Sequence, residues 1–220
     1  MDLDGDGVLD IVNGRYSPAH VYWFRGLPDG QGYAARQLLL EAGEGSSMST
    51  TNTGDLDGDG LADLIIGNTK GRVVWSRNEG TATAPRFVGR EPLQTVDGDL
   101  KVCQKSDAVA ADWDGDGVVD LLVGDECADV HWFRGRGDGS FDQGRSVFSG
   151  LSLVPGYGYR QSKERLGEHR VVPGYRLRLA VTDYNDDGRL DLLVGNCVTE
   201  QAADDGGRRT AGHVWVLLRK

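Results

Sequence analysis

The chain is poor in the side chains that most often carry chemistry. Its 220 residues include three cysteines, four histidines and two methionines. Cys103, Cys127 and Cys197 show no zinc or redox spacing. No Ser or Cys stands in a recognisable activating context, which leaves nucleophilic catalysis without a candidate. There is no apolar run of the roughly 18–20 residues that a membrane helix needs, no N-x-[ST] sequon and no signal-peptide pattern. Positive charge is also scarce. Twenty-four Lys and Arg face 34 Asp and Glu, a formal charge of -10. That balance excludes nucleic acid as the expected partner, because phosphate binding needs a basic face.

What is abundant is glycine, 33 residues, and aspartate in a fixed arrangement. At 39% hydrophobic, the chain can bury the core of one ordinary domain. The pattern D-x-[DN]-x-D-G-x-x-D occurs four times: Asp2, Asp4, Asp6, Asp10; Asp55, Asp57, Asp59, Asp63; Asp112, Asp114, Asp116, Asp120; and Asp183, Asn185, Asp187, Asp191. Carboxylates this close repel one another unless a cation lies among them. Positions 1, 3, 5 and 9 offer four side-chain oxygens, and the position-7 carbonyls of Val8, Leu61, Val118 and Arg189 offer a fifth. With no Cys or His inside a loop, the donor set is hard and oxygen-only, which disfavours zinc and copper. A bidentate last Asp plus water reaches the six or seven ligands of calcium, so about four structural Ca2+ sites are expected. The fourth is expected to be the weakest, because Asn185 replaces a carboxylate and Asp186 a glycine. An EF-hand is excluded: position 12 is Asn13, Ile66, Val123 or Val194 rather than Glu, and a strand-like apolar run follows each loop. The competing explanation is an Asp/Gly turn with no ion, since both residues form turns readily. Fifteen of the 34 acidic residues are loop ligands, and four divalent ions would bring the formal charge from -10 to -2.

The motif begins at residues 2, 55, 112 and 183, intervals that match a propeller blade. Strand-like runs precede the last three loops at Met48 to Thr53, Ala108 to Ala111 and Leu177 to Thr182. A Trp-centred strand follows each loop, around Trp23, Trp75, Trp132 and Trp215, and a Gly-rich turn then leads to Tyr33, Phe87 or Phe141. The reading is all-β: a β-propeller of four-stranded antiparallel blades, about four of them visible. The blades span about 1–47, 48–92, 107–149 and 177–220, with insertions at about 93–106 and 150–176. Met1 falls directly on the first loop, so the first blade lacks its opening strand and the last its closing one. Either the chain is part of a larger ring or its ends complete each other's blade. Cys103 and Cys127 flank the third loop and its strand, which allows a disulfide or two inert buried thiols.

The succession of strand, D-x-D-G-D-G-x-x-D, L-L-V-G, V-x-W-F and G-D-G-x-F resembles the FG-GAP/VCBS repeat of β-propellers, which also builds the integrin α-chain head. The resemblance covers nearly the whole chain. It implies a propeller with calcium as a structural ion, a secreted, periplasmic or cell-surface location, and an interaction scaffold for a protein or carbohydrate ligand. Catalysis is the less expected outcome. The alternative is a carbohydrate-active propeller, lyase-like or lectin-like, acting on anionic polysaccharide. For that reading the 150–176 insertion carries Tyr157, Tyr159, Arg160, Arg170 and Tyr175, basic and aromatic side chains suited to an anionic sugar; a solvated loop is the plainer explanation. The tripeptide Arg136-Gly137-Asp138 falls at a Gly-rich turn and is read as that turn. The four repeated Trp are expected in the blade core, and Trp113, at an outward loop position, is expected to be exposed.

Overall fold

An apolar run without polar alternation predicts a strand covered on both faces, and the acidic loops of the last three repeats are each followed by such a run. The structure is a computed structural model that describes residues 1–43, 47, 50–149, 175–201 and 208–219. It is all-β and arranged as blades. The first comprises β1 (Ile11–Gly14), β2 (Val21–Phe24) and β3 (Gln37–Leu40), and the second β4 (Thr50–Gly54), β5 (Asp63–Gly67), β6 (Val73–Asn78) and β7 (Phe87–Pro92). A hairpin of β8 (Gln94–Thr95) and β9 (Gly98–Asp99) follows. The third blade contains β10 (Asp107–Ala111), β11 (Asp120–Gly124), β12 (Asp129–Phe133) and, after the short β13 (Ser140–Phe141), β14 (Arg145–Ser149). The fourth is β15 (Tyr175–Thr182), β16 (Asp191–Gln201) and β17 (Arg208–Leu217). Within each blade, neighbours in sequence pair antiparallel. The acidic loops join the first to the second strand in blades two to four, and in the first blade the loop leads into β1.

The strand after each loop explains the stacking. Every residue of β5 and β11 is buried. Because successive side chains point to opposite faces, Leu64 and Ile66 enter the core shared with the first blade while Ile65 enters the core shared with the third. Likewise Leu121 and Val123 pack toward the second blade and Leu122 toward the fourth. Three cores result, one between each pair of consecutive blades. Gly67 closes β5 because a Cβ there would collide with the backbone oxygen of Ser106 on the next blade.

Two expectations change. Residues 93–106 are not a simple loop: β8 pairs parallel with β13, and Leu93, Leu100 and Val102 are buried in the core between the second and third blades. The Trp residues are not all at matching positions. Trp23, Trp75 and Trp132 lie opposite Val12, Ile65 and Leu122, in each case the second residue after the last Asp of the motif. Trp215 lies opposite Val194, one residue later, so Val216 takes the equivalent place opposite Leu193. A one-residue slip reverses the face a strand presents. Trp215 therefore turns back toward the third blade, against the core that holds Leu192 and Val194, and Val216 is 37% exposed. Trp75 is buried, and Trp23, Trp132 and Trp215 are half-buried against the cores.

Polar groups also cross between blades. Asn52 Nδ2 donates to Ala108 O at 2.8 Å, and Thr50 Oγ1 to Ser106 O at 2.9 Å. The Leu179 N–H donates to buried Asp107 Oδ2 at 2.8 Å. Burial pushes the Asp107 carboxyl above its ordinary value, and the hydrogen bond from Leu179 only partly offsets this. The folded chain thus holds that proton more tightly than the unfolded chain. Asp107 accordingly subtracts stability as pH rises from about 4, the range in which unfolded Asp ionises. Asp107→Asn keeps an acceptor for Leu179 and removes the charge. It is expected to raise the melting temperature at pH 7 relative to the parent, with the difference vanishing by about pH 4 in melts across that range.

Candidate metal centres

Each acidic loop winds its carboxylates inward by local hydrogen bonds. The position-1 Asp accepts from two or three loop N–H groups: Asp2 from Asp6 and Gly7, Asp55 from Gly58, Asp59 and Gly60, Asp112 from Gly115, Asp116 and Gly117, and Asp183 from Asp187 and Gly188. The position-5 carboxylate accepts from the N–H of Val8, Leu61, Val118 or Arg189. The glycine at position 6 holds φ between +83° and +86° in all four copies, a left-handed conformation that a side chain resists. Position 4 is left-handed too, and there loop four alone places a non-glycine, Asp186 at φ +57°.

The position-9 Asp has a second task. Asp10, Asp63, Asp120 and Asp191 are buried, and each accepts one N–H from loop position 2 and another from the end of the Trp-bearing strand or just beyond it. The donors are Leu3 and Gly26, Leu56 and Asn78, Trp113 and Gly135, and Tyr184 and Arg219, the second of each pair following or ending the Trp-bearing strand, which is β2 in the first blade and the third strand in the others. Burial pushes the Asp63 and Asp120 carboxyls upward despite these bonds. A cation beside them would relieve that cost.

Three loops converge their ligand atoms. One oxygen from each of Asp2, Asp4 and Asp6 lies within 4.8 Å of the others, and the same holds for Asp55, Asp57 and Asp63 and for Asp112, Asp114 and Asp120. Asn185 stands in the loop of the fourth blade, and its amide donates to Asp187 Oδ2 at 3.1 Å. These all-oxygen donor sets suit a hard divalent cation.

Sequence reasoning passed over a recurring arginine. Arg25 Nε reaches Asp4 Oδ2 at 2.6 Å and its Nη2 reaches Asp6 Oδ2 at 2.7 Å; Arg77 Nε reaches Asp57 Oδ2 at 3.2 Å; Arg134 Nε reaches Asp114 Oδ2 at 2.6 Å, and its Nη2 pairs with Asp116. The Arg134 guanidinium holds the Asp114 carboxyl below the usual carboxylate range. The signal was legible as an Arg two residues after the Trp in three repeats.

A fourth cluster, Asp125, Asp129 and His131, also escaped notice. Asp125 accepts from the N–H of Cys103, Cys127 and Asp129, and so organises the turn beside the Cys103–Cys127 disulfide, which does form. Cys197 is free. Trp113 is buried, not exposed: it packs in the core between the third and fourth blades, with the Arg219 guanidinium over its ring at 4.9 Å. Arg136, Gly137 and Asp138 form the expected turn, in which Arg136 pairs with Asp142 and Asp138 accepts from Ser140. Tyr157, Tyr159, Arg160 and Arg170 fall outside the described residues, and Tyr175 begins β15.

Repeated antiparallel blades, each carrying an acidic turn, define a β-propeller repeat protein. The FG-GAP-like repeat model matches residues 2–66, 55–123 and 112–194, and the chain belongs to that family. The fold is similar to a solved structure of an Agrocybe aegerita lectin described as recognising non-reducing terminal N-acetylglucosamine, with 21% identity and a TM-score of 0.50 over 97% of this chain. The chain spans half the length of that lectin chain. No curated relative matches. No helix among the described residues is long and apolar enough to cross a membrane.

The left-handed backbone of loop four supplies a test. Asp186→Gly removes a Cβ penalty at φ +57° and is expected to stabilise the chain by about 0.5–1 kcal/mol in chemical denaturation.

Proposed function

We propose that this chain is a calcium-organised propeller scaffold that acts outside the cytosol by binding a ligand, with carbohydrate as the favoured ligand class. The observation that carries the calcium reading is the convergence of three carboxylates within 4.8 Å in each of three loops. Asp2, Asp4, Asp6 and Asp10 would hold one ion; Asp55, Asp57, Asp59 and Asp63 a second; Asp112, Asp114, Asp116 and Asp120 a third; Asp183, Asn185, Asp187 and Asp191 a fourth, weaker one. The position-7 carbonyls complete each set. Calcium would supply charge neutralisation and rigidity in the turn that starts each buried strand.

Location outside the cytosol is supported by the Cys103–Cys127 disulfide, because such bonds persist mainly in oxidising compartments. Carbohydrate is favoured because the structurally similar lectin is described as recognising a terminal sugar. Repetition argues for scaffolding: the same acidic turn in every blade serves a structure that every blade needs.

At calcium concentrations about a hundredfold above the dissociation constant, each loop would gain about 2.7 kcal/mol. Three or four loops would then rival the net stability of a whole domain, about 5–15 kcal/mol. Addition of EDTA is accordingly expected to lower the melting temperature by more than 10 °C, restored by excess calcium and less so by magnesium; an unchanged melt would end the calcium reading. Ligand class is tested separately on a glycan array with calcium present, where the expected outcome is binding to a restricted set of glycans. A blank array combined with capture of a purified extracellular protein would replace carbohydrate by a protein partner.

A further inference from the structure

The four loops differ in one correlated pair of positions, and the structure shows why. In three blades the residue just before the N–H donor to the position-9 Asp is an arginine: Arg25, Arg77 and Arg134 precede Gly26, Asn78 and Gly135. Each guanidinium meets the position-3 carboxylate through Oδ2. In the fourth blade the corresponding residue, preceding Arg219, is Leu218, 51% exposed. There position 3 is Asn185. Its amide donates to the position-5 Oδ2 of Asp187, the bond that an arginine Nη2 makes to Asp6 and Asp116 in the first and third blades. Loss of the arginine thus coincides with loss of the carboxylate it faces, and the bond to position 5 is kept by other means. Four carboxylates and one guanidinium give each of the first three ligand sets a formal -3; three carboxylates with Asn and Leu give the fourth the same -3.

We infer that Arg25, Arg77 and Arg134 are resident counter-cations of the acidic loops: each sets the charge of its ion site and orients the position-3 carboxylate from outside. The inference rests on the calcium reading for its second half only. Without an ion, the guanidinium offsets repulsion among carboxylates held close by the loop backbone. With an ion present, the same positive charge repels it and lowers its affinity. Arg77 also lies over the Trp75 ring, 5.0 Å from its centre, so that the strand bearing the Trp presents the cation. These are positioning residues, and they adjust how far the fold depends on calcium.

A double-substitution cycle on the third loop tests this at low ionic strength, since the side chains are half-exposed and salt screens them. In EDTA, Arg134→Leu is expected to lower the melting temperature by about 1–4 °C. Adding Asp114→Asn, which recreates the fourth blade's combination, is expected to recover most of that loss. Strictly additive losses would overturn the inference, because a guanidinium needed only for packing is not rescued by removing a carboxylate. Isothermal titration with calcium supplies the second readout: Arg134→Leu should tighten the third site about three- to tenfold, and a weakened site would equally overturn the inference. A parent protein that ignores calcium would defeat the calcium reading alone, since the EDTA cycle still reports the charge coupling.

Discussion

The buried position-9 aspartate is the interaction on which the rest of each blade depends. Asp10, Asp63, Asp120 and Asp191 each fasten the loop to the end of the Trp-bearing strand through two backbone N–H donors. A carboxylate removed from water is costly unless hydrogen-bonded or paired with a cation. Meeting that requirement fixes where the turn closes, and the next residue, Ile11, Leu64, Leu121 or Leu192, is the first apolar one of the strand that follows. The loop therefore sets the phase of the strand that feeds two cores.

That phase matters because β5 and β11 have no solvent face. A slip of one residue would exchange the side chains delivered to the two neighbouring cores. The third strand of the fourth blade shows the consequence: Trp215, displaced by one position, reverses direction and packs back toward the third blade. The hairpin of β8 and β9 closes the core between the second and third blades, with Leu93 and Leu100 fully buried. The Cys103–Cys127 disulfide then ties the chain leaving that hairpin to the turn before β12.

Charge follows the same economy. The acidic loops concentrate negative charge at the blade turns, and it is met locally by backbone N–H groups, by Arg25, Arg77 and Arg134, and in the fourth loop by an amide in place of a carboxylate. The matched formal charge of the four ligand sets points to a constraint on each turn separately, as expected where carboxylates interact over a few ångströms and solvent screens longer distances.

Much of this was legible in the chain alone. The D-x-[DN]-x-D-G-x-x-D spacing, the apolar triplets and the repeat interval depend only on local backbone geometry and on side-chain period, so they disclosed the all-β class, the blade unit and the candidate ligands. The recurrent arginine was equally visible, yet its meaning required knowing that the strand end lies beside the loop. Tertiary structure alone decided the burial of Trp113, the reversed face of Trp215, the packing role of residues 93–106 and the gathering of Asp125, Asp129 and His131 beside the disulfide. The first three depend on register or on contact between segments distant in sequence, as does the approach of Cys103 to the local Asp125–His131 turn, and a local pattern carries no information about which neighbour will cover a given face.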